Sequence, residues 1–315
     1  MDSTEKHLFS SSVQLLGHKS GVYTTKFSPS GNLLASGSND KQILIWDIFD
    51  SQCKNTISFK GHSGSILEVS WSRDSATLYS CSADKTFSSW DITEGIRIKK
   101  YRGHEGIVNS IDASQTGSDI AVTAGDDFAV KLWDLRAKEA VMEQKMNYQV
   151  TAVRFSQTNE YVFFGGLDNQ IKAWNVKANS IEFSLLGHKN TITGIALSND
   201  GKKLLSNSID NTVRSWDLKP FVTNEDRELK VFMGGKHDFE RNLLRCCWGP
   251  NDKYASAGSA NKIVYIWGYD TGYIWGELMG HNGSVNETHI NPKYPIIASA
   301  SSDSTVFLGE IPQLT

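Results

Sequence analysis

The sequence predicts an all-β protein made of seven copies of one four-stranded unit, and three observations carry that prediction. Tryptophan recurs at positions 46, 90, 133, 174, 216 and 267, spaced 44, 43, 41, 42 and 51 residues apart, and the frame puts a seventh mark at Gly309. Six positions upstream of each mark stands Asp40, Asp84, Asp127, Asp168, Asp210, Asn261 or Asp303. Roughly 28 residues upstream comes a Gly-His pair, ending at His18, His62, His104, His188 and His281. His237 lacks the glycine, and Asn147-Tyr148 replaces the pair in the fourth copy. A fixed period of this length means stacked repeat units, and it outranks any local reading.

The copies justify the strands in order. In the first, "GVYTTKF", "NLLASGS" and "QILIWDI" are short, apolar or β-branched runs separated by "SPSGN" and "ND". Such runs joined by turn residues are strands, and no segment carries a sustained helical stripe. The second copy repeats the rhythm, with "SADKTFSSWD" at 82–91 answering "SNDKQILIWD" at 38–47, and the third and fifth follow it. The fourth changes His to Tyr148 and Ser to Phe164 together. The sixth sets Ala257 and Asn261 beside His237, which lies inside a charged stretch, "KPFVTNEDRELKVFMGGKHDFERN", at 219–242. Its part ahead of His237, at about 219–236, is expected to be a solvated loop or a partner-specific contact. The seventh keeps His281, Ser299 and Asp303 but ends one strand short.

His18, Ser36 and Asp40 have the residue types of a catalytic triad, but so do three more sets: His62, Ser80, Asp84; His104, Thr123, Asp127; and His188, Ser206, Asp210. One enzyme needs one such site, so four copies point to architecture. Donor counting supports this. An indole N–H only donates, a carboxylate only accepts, and Ser or neutral His does both. Each copy is therefore expected to hold a relay: Trp46, Ser36, His18, Asp40; Trp90, Ser80, His62, Asp84; Trp133, Thr123, His104, Asp127; and Trp216, Ser206, His188, Asp210. In the fourth copy the joint replacement is expected to cost less than orphaning one member.

Four strands per copy, Gly-His, and Trp-Asp resemble the WD-repeat family over residues 13–311. The resemblance implies a seven-bladed WD-repeat β-propeller, with residues 1–10 a short tail and 11–315 a single domain. It also implies that the ring is closed by an N-terminal strand completing the C-terminal blade. "SSSVQLL", just before His18, looks like a fourth strand lacking its first three, which is what the last copy needs. Closure removes open sheet edges, which otherwise invite aggregation.

Bulk properties exclude several function classes. Net charge is −3, which gives no electrostatic reason to bind a polyanion. The cysteines are Cys53, Cys81, Cys246 and Cys247, with no CxxC pair, as in a reduced intracellular protein without a disulfide framework or zinc site. No apolar run long enough for a membrane span, no phosphate-binding glycine loop and no metal-spaced His/Cys cluster occurs, so no cofactor, membrane or small-molecule substrate is expected. Phe27, Trp71, Phe155, Leu197, Trp248 and Ile290 share one place in the innermost strand and are expected in the core.

In the resembled fold, loops entering the inner strand crowd the upper rim of the channel. Tyr23, Leu67, Asn109, Leu167, Ile209 and Leu244 fall there, and the aligned rim positions include no Lys or Arg and one acid, Asp126. Phosphate recognition wants arginines. A neutral rim with leucines suits a segment of another protein, so aspartate at Leu67 and Leu244 is expected to weaken partner binding without unfolding.

The degenerate features are more telling. "NYQVTAV", "GGLDNQIKAWN", "LLSNSIDNTVRSWDLKPF", "HDFERNLLRCCW" and "SASSDSTVFLGEI" together resemble the family of WD-repeat components of the U5 small nuclear ribonucleoprotein, from about Leu15 to Ile311. That resemblance implies a nuclear, noncatalytic scaffold in pre-mRNA splicing. It docks on the particle's large central scaffold protein, beside its GTPase and RNA helicase, and meets RNA only through the complex. The alternative is a WD-repeat adaptor or substrate receptor of a ubiquitin ligase. Ten residues ahead of the first strand are expected to leave no room for a fused adaptor-binding segment. An enzyme would need unrepeated ionisable groups at the channel mouth.

Overall fold

The first unit shows how the sequence makes a blade. Val22–Phe27, Leu33–Ser38, Gln42–Asp47 and Asn55–Lys60 pair antiparallel in chain order. The turn between the second and third strands places Lys41 at φ 68°, in the left-handed region. Asp40 holds that turn by accepting the Gln42 amide at 3.0 Å. The residue after each turn Asp or Asn repeats the conformation, at Lys85, Phe128, Asn169, Asn211, Lys262 and Ser304. Short carboxylate side chains that bond their own backbone make this strained turn affordable.

The computed structural model describes residues 12–50, 54–117, 119–219, 227–240 and 242–311, so the expected tail at 1–10 lies outside the described residues. They form seven four-stranded antiparallel sheets, with one short 3-10 turn at Pro250–Asp252. Each inner strand touches the inner strands of both neighbouring blades, and that of the seventh touches that of the first. The last sheet is completed by Ser12–Leu15, which pairs antiparallel with Val306–Glu310, from Ser12 opposite Gly309 to Leu15 opposite Val306. Leu15 then packs with Val306 and Leu308 and with Leu44 and Trp46 of the first blade. The protein is a seven-bladed all-β propeller.

Blades stack face to face, and the core lies between them. Ala35, Ile43, Ile45 and Phe59 of the first blade meet Ile66, Val69, Leu78 and Trp90 of the second. Spacing is tight enough that a Cβ on Gly258 would lie 2.2 Å from the Val285 carbonyl of the next blade. The charged stretch after Trp216 is not one loop. Its middle, Glu228–Met233, is the outer strand of the fifth blade. Residues 220–226 lie outside the described residues.

In six inner strands the pairing register shifts by one residue near the upper end. The bulged residues are Tyr23, Leu67, Asn109, Thr151, Thr193 and Asn286. A bulge leaves its residue out of the ladder and re-aims its side chain. Here four of them bridge to a carbonyl of the next blade: Asn109 to Val150, Thr151 to Ile192, Thr193 to Leu244, and Asn286 to Val22. The same neighbour contacts serve the amides. Thr24, Glu68, Ser110 and Glu287 accept from Val69, Ile111, Val153 and Thr25 respectively. Inner strands are sheet edges with unpaired backbone groups, and each blade caps the next.

Candidate interaction surface around the central channel

The relays are built by the turn Asp, the two strands beside it and the His of the connection that enters the inner strand. Trp46 Nε1 donates to Ser36 Oγ at 2.8 Å, Ser36 meets His18 Nε2 at 2.8 Å, and His18 Nδ1 meets Asp40 at 2.9 Å. In the second blade the links Trp90–Ser80, Ser80–His62 and His62–Asp84 measure 2.7, 2.9 and 3.0 Å. In the third, Trp133–Thr123, Thr123–His104 and His104–Asp127 measure 2.7, 2.7 and 2.8 Å. In the fifth, Trp216–Ser206, Ser206–His188 and His188–Asp210 measure 2.8, 2.7 and 2.9 Å. The hydroxyls of Ser36, Ser80, Thr123 and Ser206 belong to residues with 0% exposure, so no substrate reaches them. Burial pushes Asp40 up, but hydrogen bonds from His18 and the Lys19 and Gln42 amides outweigh it and hold the carboxyl at about 2. Asp84, Asp127 and Asp210 are held low in the same way.

The fourth copy differs from expectation. Phe164 removes the hydroxyl but the indole remains, and the buried Trp174 N–H has no hydrogen-bond partner among the described residues. One donor is orphaned after all, at a cost of about 1–3 kcal/mol. Lys172 fills the polar end of this blade, donating to Tyr148 Oη and to Asp168 at 2.8 Å. In the sixth, Trp267 Nε1 turns to the Met233 carbonyl, and His237 Nδ1 and Asn261 Oδ1 are buried without hydrogen-bond partners among the described residues. In the seventh, Phe307 stands edge-on to His281 with centroids 4.6 Å apart. It takes the place beside the histidine that indoles hold at 5.8–6.2 Å in the second, third and fifth blades.

The six rim positions divide. Leu167 is 45% exposed, and Tyr23, Leu67 and Ile209 are half-buried. Asn109 and Leu244 are not available to a partner, at 5% and 1% exposure. Asn109 is consumed by the Val150 carbonyl and by Asp126, and Leu244 is drawn into the ring where its carbonyl takes Thr193 and Asn207. Two exposed aromatics join this face instead: Phe128, 44% exposed, and Phe239, 91% exposed. Phe128 had a legible signal, being an aromatic in a turn slot that otherwise holds Lys, Asn or Ser. Burial, with the Glu240 charge, pushes the Tyr23 phenol up.

Sequence reading missed the ion cluster inside the channel. Glu68, 0% exposed, takes Lys26 at 2.9 Å, Arg245 at 3.3 Å, and Arg154. Arg245, from the sixth blade, also donates to the Asn109 carbonyl of the third at 2.8 Å, so it spans the channel. Burial pushes Glu68 up, but Arg154, Arg245 and Lys26 outweigh it and hold the carboxyl well below the ordinary range. Burial, with Lys26 and Arg154 nearby, pushes His289 down to about 3. Cys246 and Cys247 are buried free thiols pushed up by burial, which makes them packing groups.

Comparison with known proteins agrees with this geometry. The WD domain, G-beta repeat family model matches residues 9–47, 51–91, 95–134, 141–175, 179–217, 229–268 and 273–308. The U5 small nuclear ribonucleoprotein 40 kDa protein of Homo sapiens is 44% identical over 297 residues, covering 94% of this chain and 83% of that protein. Pre-mRNA-splicing factor cwf17 of Schizosaccharomyces pombe is 43% identical over 299 residues, covering 95% and 87%. The Dictyostelium discoideum U5 40 kDa protein is 39% identical over 300 residues, covering 95% and 84%. The chain belongs to the WD-repeat family, within the group of U5 small nuclear ribonucleoprotein 40 kDa proteins.

Proposed function

We propose that this chain is a noncatalytic protein–protein interaction scaffold in pre-mRNA splicing. In this reading it is a structural component of the U5 particle and spliceosome, resides in the nucleus, and docks on the particle's large central scaffold protein. RNA is met only through the complex, and no cofactor, membrane or small-molecule substrate takes part. The observation that carries the reading is the nearly end-to-end likeness to U5 40 kDa proteins and to a splicing factor. The upper rim supports it chemically. Leu167, Phe128 and Phe239 are exposed apolar groups beside half-buried Tyr23, Leu67 and Ile209, the mixture that interface cores favour.

Purifying the tagged chain from nuclear extract and identifying its companions tests the proposal. U5 proteins, with the large scaffold among them, are the expected result. Cullin-type ligase subunits without splicing proteins would overturn it in favour of a ubiquitin-ligase receptor.

A further inference from the structure

The channel is not a through-hole. At mid-height each blade contributes one inward residue: Thr24, Glu68, Ser110, Ala152, Gly194, Arg245 and Glu287. Six of these are 0–3% exposed and Gly194 is buried as well. An open water column would leave them accessible. The Glu68 cluster therefore plugs the channel, and what remains below is a blind cup of about 710 Å³ opening on the face opposite the rim described above. That volume lies within the range of ligand pockets, roughly 300–1,000 Å³.

The cup's walls and floor have distinct chemistry. Phe27, Trp71, Phe155, Leu197, Trp248 and Ile290 line the sides, so the column expected to serve only the core also shows its edges to a cavity. Ala196 and Cys247 are small at the level where other blades place Lys26, Asp112, Arg154 and His289, which opens room on one side. On the floor, Lys26 and Arg154 each keep 12% side-chain exposure, while Glu68 and Glu287 behind them keep 0% and 2%. The formal charges of the cluster cancel, so arrangement decides: Lys26 and Arg154 face the cup while Arg245, at 4%, does not, and of the three acids Glu68 is sealed at 0% and Glu287 reaches the lining at only 2%. The third, Asp112, is already engaged by the Ser70 hydroxyl and the Phe155 amide. Lys293 adds an exposed cation at the mouth.

We propose that this cup is a second binding site, which receives a carboxylate side chain flanked by apolar residues on a peptide segment of a partner protein. The carboxylate meets Lys26 and Arg154, and the flanking groups lie against the aromatic wall. The inference does not rest on the splicing assignment, since the residues alone define the ligand.

Calorimetric titration of the purified chain with three capped tripeptides tests it. Each has two phenylalanines around a central glutamate, glutamine or lysine, and inorganic phosphate serves as a competitor. The glutamate peptide is expected to bind saturably, at least tenfold tighter than the others, and phosphate to displace it poorly. Ala196→Trp fills the cup and is expected to abolish binding. Lys293→Glu, on the exposed mouth where folding is not at stake, is expected to weaken it several-fold. No binding of the glutamate peptide, equal binding of the lysine peptide, or unchanged binding by Lys293→Glu would overturn the proposal. Phosphate binding as tight as the peptide would mark a small-anion site and overturn the peptide assignment.

Discussion

Thr25 of the first blade donates its amide hydrogen to Glu287 of the seventh, 262 residues along the chain and 2.9 Å away. Three further side chains of the seventh blade reach across the same seam. Asn286 donates to the Val22 carbonyl, Asn291 donates to the Gly31 carbonyl, and His289 accepts the Phe27 amide. The ring is thus fastened twice, at its outer edge by Ser12–Leu15 and at its inner edge by side chains. A ring that holds seven blades in fixed relation gains from both, because either seam alone leaves backbone groups unpaired.

The channel brace is expected to be a point of high sensitivity. Glu68→Gln leaves Lys26, Arg154 and Arg245 buried around a neutral group. Breaking a buried ion cluster by removing one partner costs about 3–5 kcal/mol. Denaturant unfolding should show a loss of that size, and a change within experimental error would mean that the brace contributes little.

Two tryptophans of equal burial should respond unequally. Trp90→Phe breaks the relay through Ser80, whereas Trp174→Phe removes a donor that has no acceptor. With a net hydrogen bond worth roughly 1 kcal/mol, Trp90→Phe should lose about that much more stability than Trp174→Phe. Equal losses in thermal unfolding would contradict the relay's role.

Acid should destabilise the fold in two stages. Burial keeps His237 at about 4 and His289 at about 3 in the folded chain, against 6.5 when free. The unfolded chain therefore binds more protons below 6.5, and stability falls as pH drops from there. The relay aspartates act lower. Asp40 contributes fully above 3.8 and loses its contribution as pH falls through about 2. Urea midpoints measured at pH 7, 5 and 3 should decline in that order, and a flat or rising series would contradict it.

Much of the fold was legible because the same hydrogen-bond problem is solved repeatedly. Trp46, Ser36, His18 and Asp40 satisfy one another, so their spacing survives from blade to blade and can be counted. The channel cluster has no such repetition. Lys26, Glu68, Arg154 and Arg245 come one per blade from different heights, and only ring closure brings them together. The bulges hid more, since each shifts the inner strand's alternation by one and turns Asn109 from an exposed rim group into a bridge. Leu244 was misread because its blade lacks a regular inner strand there, the described strand being only Cys246–Trp248.

This changes which substitutions probe the upper rim. Leu244→Asp buries a charge at 1% exposure and should unfold the protein rather than test a contact. Leu167→Asp with Phe128→Ser alters exposed groups and should leave the melting temperature nearly unchanged while weakening capture of U5 proteins. Undiminished capture would move the docking surface off this rim.

The most direct measurement compares the full chain with a variant lacking residues 1–16, by thermal unfolding and solution mass. A lower Tm and self-association are expected, because the Val306–Glu310 edge would be bared and the Leu15 site emptied. A monomer of unchanged Tm would contradict it, for it would mean that the two ends of the chain do not hold the ring closed.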